Sequence, residues 1–233
     1  MTEPIPIASG AIPLKRIHDQ RLRAIYRSAG WPCLDPIEIE LLAAGLLERV
    51  QPERGAEYLR VTDAGIQRLA HALGNNRTAR DRHEQLVQRV AEEQVRQGRI
   101  AFQGLTLLGK PGETWLHLRP DVFSIRNTTR EDRVEPVVHE IKVSRADLLG
   151  DIKKPEKRAA YLAVSAECYY VLAEGIGTAD DVPPECGVII ATATALERVR
   201  AALARPMTVS FSTWMALAKA RRVDSLDDPA AQL

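Results

Sequence analysis

Apolar residues Ile17, Leu22, Ile25 and Tyr26 recur at near-helical spacing over residues 14–28, and Gly30 closes that stretch. Asp35 followed by Pro36 is a helix start: a capping side chain, then a proline where the missing N–H costs nothing. The helix it opens carries Ile39, Leu42 and Leu46, with Gly45 near its end. Next the pattern predicts a strand, a turn over residues 52–55, a strand over residues 58–61, and a helix capped by Thr62 or Asp63. Gly74, Asn75 and Asn76 break the helical period and predict a domain boundary. The period resumes over residues 79–97, with Leu86, Val87, Val90, Ala91 and Val95 on one face and Gly98 as terminator. Strands are predicted over residues 100–108, 114–125 and 134–143, joined by turn-rich KPGE at 110–113 and RNTT at 126–129. Ser144 starts a helical stretch to Leu162 that contains Pro155, which cannot donate the bond a helix interior needs. Strands over residues 168–173 and 187–191 follow, then a helix over residues 211–222.

The second part therefore reads α-β-β-β-α-β with an extra strand, an α/β (α+β) class in which a mixed sheet is flanked by helices. Three segments are expected: residues 1–76 with an extended arm bearing Pro4, Pro6 and Pro13, residues 77–205, and a C-terminal helical tail over residues 206–233.

Composition narrows the classes. At 233 residues, 45% hydrophobic and 27% charged, the chain is that of an ordinary globular protein, and its formal net charge of +1 points to no global polyanion-binding surface. Any nucleic acid must meet a local patch. Cys33, Cys168 and Cys186 form no CxxC pair, which argues against a disulfide framework or a structural zinc site and suits a reducing compartment. The first residues do not read as a signal peptide, and no run approaches the roughly 18 apolar residues of a membrane span. A cytoplasmic protein without a membrane partner is expected.

The candidate chemistry lies in RPDVFSI and VVHEIKVS. Side chains alternate along a strand, so Glu140 and Lys142 share one face while His139, Ile141 and Val143 take the other. Strand pairing can bring Asp121 beside Glu140, and two converging carboxylates are what a hard divalent cation, Mg2+ or Mn2+, requires. The Ile141 carbonyl could add a ligand, and Lys142 could orient or help deprotonate a water. On this reading Glu140→Ala removes one of two crowded carboxylates and leaves metal-free stability unchanged or improved. Taken alone, a Glu-x-Lys on a strand is usually a solvated face with a weak cross-strand ion pair. Ser144 with Asp147 fits a simple capping box, and His83 and His139 read as satisfied core histidines. Arg145, Lys153, Lys154, Lys157 and Arg158 follow the strand closely, as phosphate contacts or as a solvated helix face.

Pro-Asp followed about twenty positions later by Glu-x-Lys, in this element order, resembles the PD-(D/E)XK nuclease superfamily. The resemblance implies metal-binding roles for Asp121 and Glu140, a catalytic role for Lys142, and an acidic residue on the first core helix, for which Glu84 is the best match. The stretch HEIKVSRADLLGDIKKPEKRAAYLAVSAECYYVLAEG and the later VPPECGVIIA resemble the MmcB-type DNA-repair branch of that superfamily, with Lys154 and Lys157 departing from it. Residues 14–73 resemble a winged-helix domain. Glu38 and Glu40 at the start of its second helix would repel phosphates, while Arg16, Arg21, Arg23 and Arg27 could compensate. The expected activity is metal-dependent hydrolysis of phosphodiester bonds in nucleic acid, DNA ahead of RNA. A non-catalytic DNA-binding protein on the same scaffold and a winged-helix regulator stay open, as does homodimerisation.

Overall fold

The computed structural model describes residues 13–53 and 55–224; the expected N-terminal arm lies almost wholly outside them. The chain divides into two compact units, Met1–Thr78 and Ala79–Leu233.

In the first unit, helices α1 (Arg16–Tyr26) and α2 (Pro36–Ala43) precede an antiparallel pair, β1 (Leu47–Val50) and β2 (Tyr58–Val61). Asp35 caps α2 by accepting from the Glu38 amide at 2.9 Å. Leu22, Ile25, Leu41, Leu46, Leu59 and Leu69 form the core. Gly30 has a φ of 76°, its carbonyl accepts from the Leu59 amide, and a Cβ there would lie 2.1 Å from the Leu59 oxygen, so glycine is required. Glu38 is not a surface anion as expected. It is fully buried, accepts from the Leu34 amide at 2.9 Å and meets Arg49 at 3.2 Å. Glu40 is paired with His18, and Arg21 with Asp35 at 2.7 Å.

Helix α3 (Asp63–Arg96) begins in the first unit and ends in the second. The break expected at 74–76 is absent: a helix-interior glycine costs only about 1 kcal/mol. Here the Thr78 hydroxyl donates back to the Gly74 carbonyl at 3.1 Å.

The second unit holds a six-stranded mixed sheet in the order β10-β9-β8-β7-β6-β3. Its strands are β3 (Arg99–Gln103), β6 (Val122–Arg126), β7 (Val137–Lys142), β8 (Glu167–Ala173), β9 (Gly187–Ala191) and β10 (Leu196–Arg200). β7, β8 and β9 run parallel; the outer pairings are antiparallel. Two expected strands are each divided. Gly104, with a φ of 57°, separates β3 from β4 (Leu107–Gly109), and residues 119–121 separate β5 (Leu116–Leu118) from β6, leaving β4 and β5 as a separate two-stranded ladder. The expected long helix is two, α4 (Arg145–Ile152) and α5 (Pro155–Val164), with Pro155 in the first turn of the second.

Each face of the sheet has its own cover. Leu86, Val90 and Ala91 of α3 pack with Val122, Ile141 and Val171; Leu148, Tyr161 and Val164 of α4 and α5 pack with Phe123, Val138 and Tyr170. Helix α6 (Phe211–Lys219) contributes Leu217 to the second cluster, and the Val223 amide donates to the Ala101 carbonyl at 2.8 Å. The segment expected as a separate tail thus belongs to this unit as far as residue 224.

Candidate active site

The strand VVHEIK of β7 is buried at all six positions. Its pairing with β6 runs only from Ser124↔Val137 to Val122↔His139, so Glu140, Ile141 and Lys142 extend past the end of β6 and pair on one side alone, with β8. Asp121, immediately before β6, fills the gap: its Oδ2 accepts from the Ile141 amide at 2.8 Å. In an extended strand the N–H and C=O of one residue point to the same edge, so the Ile141 carbonyl faces the same gap.

Glu140 and Lys142 lie side by side on the face that meets α4 and α5. Lys142 Nζ donates to Glu140 Oε1 at 2.8 Å, and Lys157 Nζ reaches the same oxygen at 2.6 Å. Lys157 also donates to Asp151 Oδ1 at 2.7 Å, and the Tyr170 hydroxyl donates to Asp151 Oδ2 at 3.0 Å. Asp147 and Asp151 stand 3.5 and 3.7 Å from Lys142. Burial opposes the Lys142 charge, but the carboxylates of Glu140 and Asp151 outweigh it and hold the pKa above the ordinary lysine value. Asp151 is likewise pushed up by burial, then pulled below its usual range by Lys157 and Lys142. The other oxygen of Glu140, Oε2, is buried with no hydrogen-bond partner: the Tyr161 hydroxyl, its pKa raised by burial and then by the nearby Glu140 charge, donates at 3.4 Å to the Arg119 carbonyl instead. Such an atom costs free energy unless something meets it.

The residue of α3 that reaches this place is His83. Its Nε2 lies 3.4 Å from Asp121 Oδ2, and the hydrogen bond to Asp121 raises its pKa against the opposing effect of burial. Glu84, expected here, is instead exposed and paired with Arg80 at 2.8 Å. The reason is the helical period: His83 lies three and four residues before Leu86 and Val87, on the sheet-facing stripe, and Glu84 is turned about 100° from it. His83 is therefore neither a buried core histidine nor remote from Asp121. From the sequence Tyr170 reads as a simple core aromatic and Asp151 has no role of its own; the signal for Asp151 is the Asp-x-Lys-x-Pro-Glu segment itself.

Three of the five cations expected to meet phosphate are occupied within the unit. Arg145 grips Asp181 through two bonds of 2.9 and 2.8 Å, Arg158 donates to Glu185 at 2.8 Å, and Lys157 is held by Glu140 and Asp151. Long basic side chains beside acidic loops satisfy them locally before any ligand arrives. Lys153 and Lys154 are exposed and form no ion pair among the described residues.

No group of three or more His, Cys, Asp or Glu among the described residues is arranged to hold a metal. The oxygen donors that could hold a cation here are the Asp121 carboxylate, Glu140 Oε2 and the Ile141 carbonyl, the donor type that Mg2+ or Mn2+ takes through one or two carboxylates and several waters. No helix among the described residues is long and apolar enough to cross a membrane.

No protein-family model and no curated protein matches the chain. Among solved structures, a protein of unknown function from Silicibacter pomeroyi is similar, with 24% sequence identity and a TM-score of 0.39 over 56% of this chain and 77% of that one.

Proposed function

We propose that the second unit is a metal-dependent phosphodiesterase acting on nucleic acid, DNA ahead of RNA, related to the PD-(D/E)XK nucleases and their MmcB-type repair branch. The observation that carries the reading is the buried, unpartnered Glu140 Oε2 beside Lys142, with the Asp121 carboxylate anchored on the Ile141 amide. Asp121, Glu140 and the Ile141 carbonyl would hold the cation, which when bound supplies Lewis acidity to the phosphate and lowers the pKa of a water. The chain's own residues do the rest. Lys142, kept protonated by Glu140, steers the attacking water and the negative charge that develops on phosphate. His83 fixes the Asp121 carboxylate from behind, as outer partners of metal-binding carboxylates do. The first unit is read as a winged-helix module that contributes nucleic-acid contact, a role now freed of the repulsion expected from Glu38.

Glu140→Gln keeps the shape of the side chain and removes its charge. Cleavage of single- and double-stranded DNA with Mn2+ is expected to fall at least about a hundredfold in this variant, and Lys142→Met to lose a similar factor without weakening Mn2+ binding. Full activity in Glu140→Gln, or in excess chelator, would sink the proposal. One observation favours a second reading, a non-catalytic DNA-binding protein: two lysines already balance Glu140. Tight DNA binding with no cleavage under any divalent cation would decide for it.

Binding and chemistry separate at the α4–α5 junction. Lys153 and Lys154 are the cations there without ion pairs among the described residues, so changing both to alanine should flatten the salt dependence of duplex binding by about one to two units. A slope that stays unchanged would move the contact elsewhere.

A further inference from the structure

At the other end of β7 from Glu140 and Lys142, a cavity of about 900 Å3 opens on the α3 side of the sheet. Its size is that of a small-molecule site, which runs from roughly 300 to 1,000 Å3. Val90, Ile189 and Leu196 give it an apolar wall, and arginines, glutamates, two glutamines, His139 and Tyr169 supply most of the rest.

The charges do not cancel. Arg126 is paired with Glu135 at 2.6 Å, and Glu93 is held by Arg96 at 2.9 Å. Arg99, Arg198 and Arg205 also line the cavity, and none has a carboxylate within 4 Å among the described residues. Against these three positive charges stands Glu167, which with Arg198 neighbours the Tyr169 side chain. Three against one leaves a surplus of two.

Arg99 shows what that surplus costs. Its half-buried guanidinium meets only neutral oxygens: the Ser124 hydroxyl at 2.9 Å, the Ser124 carbonyl at 3.2 Å and the Glu135 carbonyl at 2.5 Å. Burial, then the charge of Arg126, lowers its pKa. Glu135 holds its carbonyl there from a left-handed backbone with a φ of 42°, strain that a non-glycine residue keeps only where surroundings enforce it. His139 adds a second unmet demand. It lines the cavity at 2% exposure, its ring stacked on Tyr169, and its Nδ1 has no partner.

We propose that this cavity binds a small molecule bearing a phosphate dianion. Two negative charges answer the surplus of two, and guanidinium forks match phosphate oxygens in pairs. A carboxylate supplies one charge only. The volume exceeds what phosphate alone would fill, so the organic part of a phosphomonoester would lie against the apolar wall. The inference is independent of the nuclease reading, because no residue of the candidate active site takes part.

Calorimetric titration of the full chain with adenosine 5′-monophosphate, inorganic phosphate and adenosine tests it. The monophosphate should bind saturably and adenosine should not. Tighter binding of the monophosphate than of inorganic phosphate identifies an ester as the ligand; equal or tighter binding of inorganic phosphate identifies the free anion. Arg198→Ala should weaken the monophosphate at least about tenfold, the loss of one charge-assisted contact. Arg198 is exposed, so this variant should fold as the parent does; Arg205→Ala should act in the same direction. Absence of saturable binding by either phosphate compound at millimolar concentration overturns the proposal. So does binding that neither variant changes, or displacement by an oligonucleotide lacking a terminal phosphate.

Discussion

Glu140→Ala should destabilise the metal-free protein by about 3–5 kcal/mol, the cost of removing one partner from a buried ion pair. This reverses the expectation of crowded carboxylates, because the structure surrounds Glu140 with cations. Its Oε1 takes both Lys142 and Lys157, and its side chain and that of Lys142 are each only 5% exposed. Without Glu140, Lys142 keeps Asp151 at 3.7 Å and a mostly exposed Asp147 at 3.5 Å, too little to replace a bond of 2.8 Å. Lys157 can swing toward solvent, being 32% exposed, so Lys142 bears most of the loss. Glu140→Gln should cost less, since its amide oxygen still accepts one ammonium. The double change Glu140→Met with Lys142→Met should be more stable than Glu140→Ala, because apolar groups of similar volume often replace a buried pair at little cost. Urea unfolding of the four proteins in chelator measures this. A Glu140→Ala variant as stable as the parent would mean that the lysines do not depend on Glu140.

How much of this was legible follows from the range of the interactions. The shared face of Glu140 and Lys142 needs only the two-residue period of a strand, and the Asp35 cap only its own helix. The same local rules, applied strictly, select His83 over Glu84. What they cannot reach is the set of charges that surrounds this pair. Lys157 and Asp151 meet Glu140 and Lys142 only because α4 and α5 pack back onto this face of the sheet, and in sequence Lys157 looks like any cation on a solvated helix. The continuity of α3 through Gly74 also escaped, since one glycine penalises a helix too weakly to end it. β10 was not read either, because LERVR on an edge strand lacks an apolar face.

His139 supplies the second large effect, and it appears only in acid. The ring is wholly buried, and burial, followed by the charge of Arg99, lowers its pKa from the ordinary 6.5 to about 3. Below pH 6.5 the unfolded chain takes up a proton that the folded chain refuses until pH is near 3, so this residue makes stability fall throughout that window. Each pH unit of full difference is worth about 1.4 kcal/mol, and because the unfolded imidazole is only half-protonated at pH 6.5, the loss on going from pH 6.5 to 4.5 is about 2 kcal/mol from this group alone. His139→Phe keeps an aromatic ring on Tyr169, removes the unpartnered Nδ1, and cannot take up the proton. Near pH 7.5 its stability should lie within about 1 kcal/mol of the parent, the change in volume being small. As pH falls to 4.5 the variant should gain on the parent by about 3 kcal/mol, since the carboxylates common to both cancel in the difference. Urea unfolding at pH 7.5, 5.5 and 4.5 reads that gap directly. If the two proteins lose stability in parallel, His139 takes up its proton in the folded state as readily as in the unfolded one, and the buried neutral ring assigned to it is wrong.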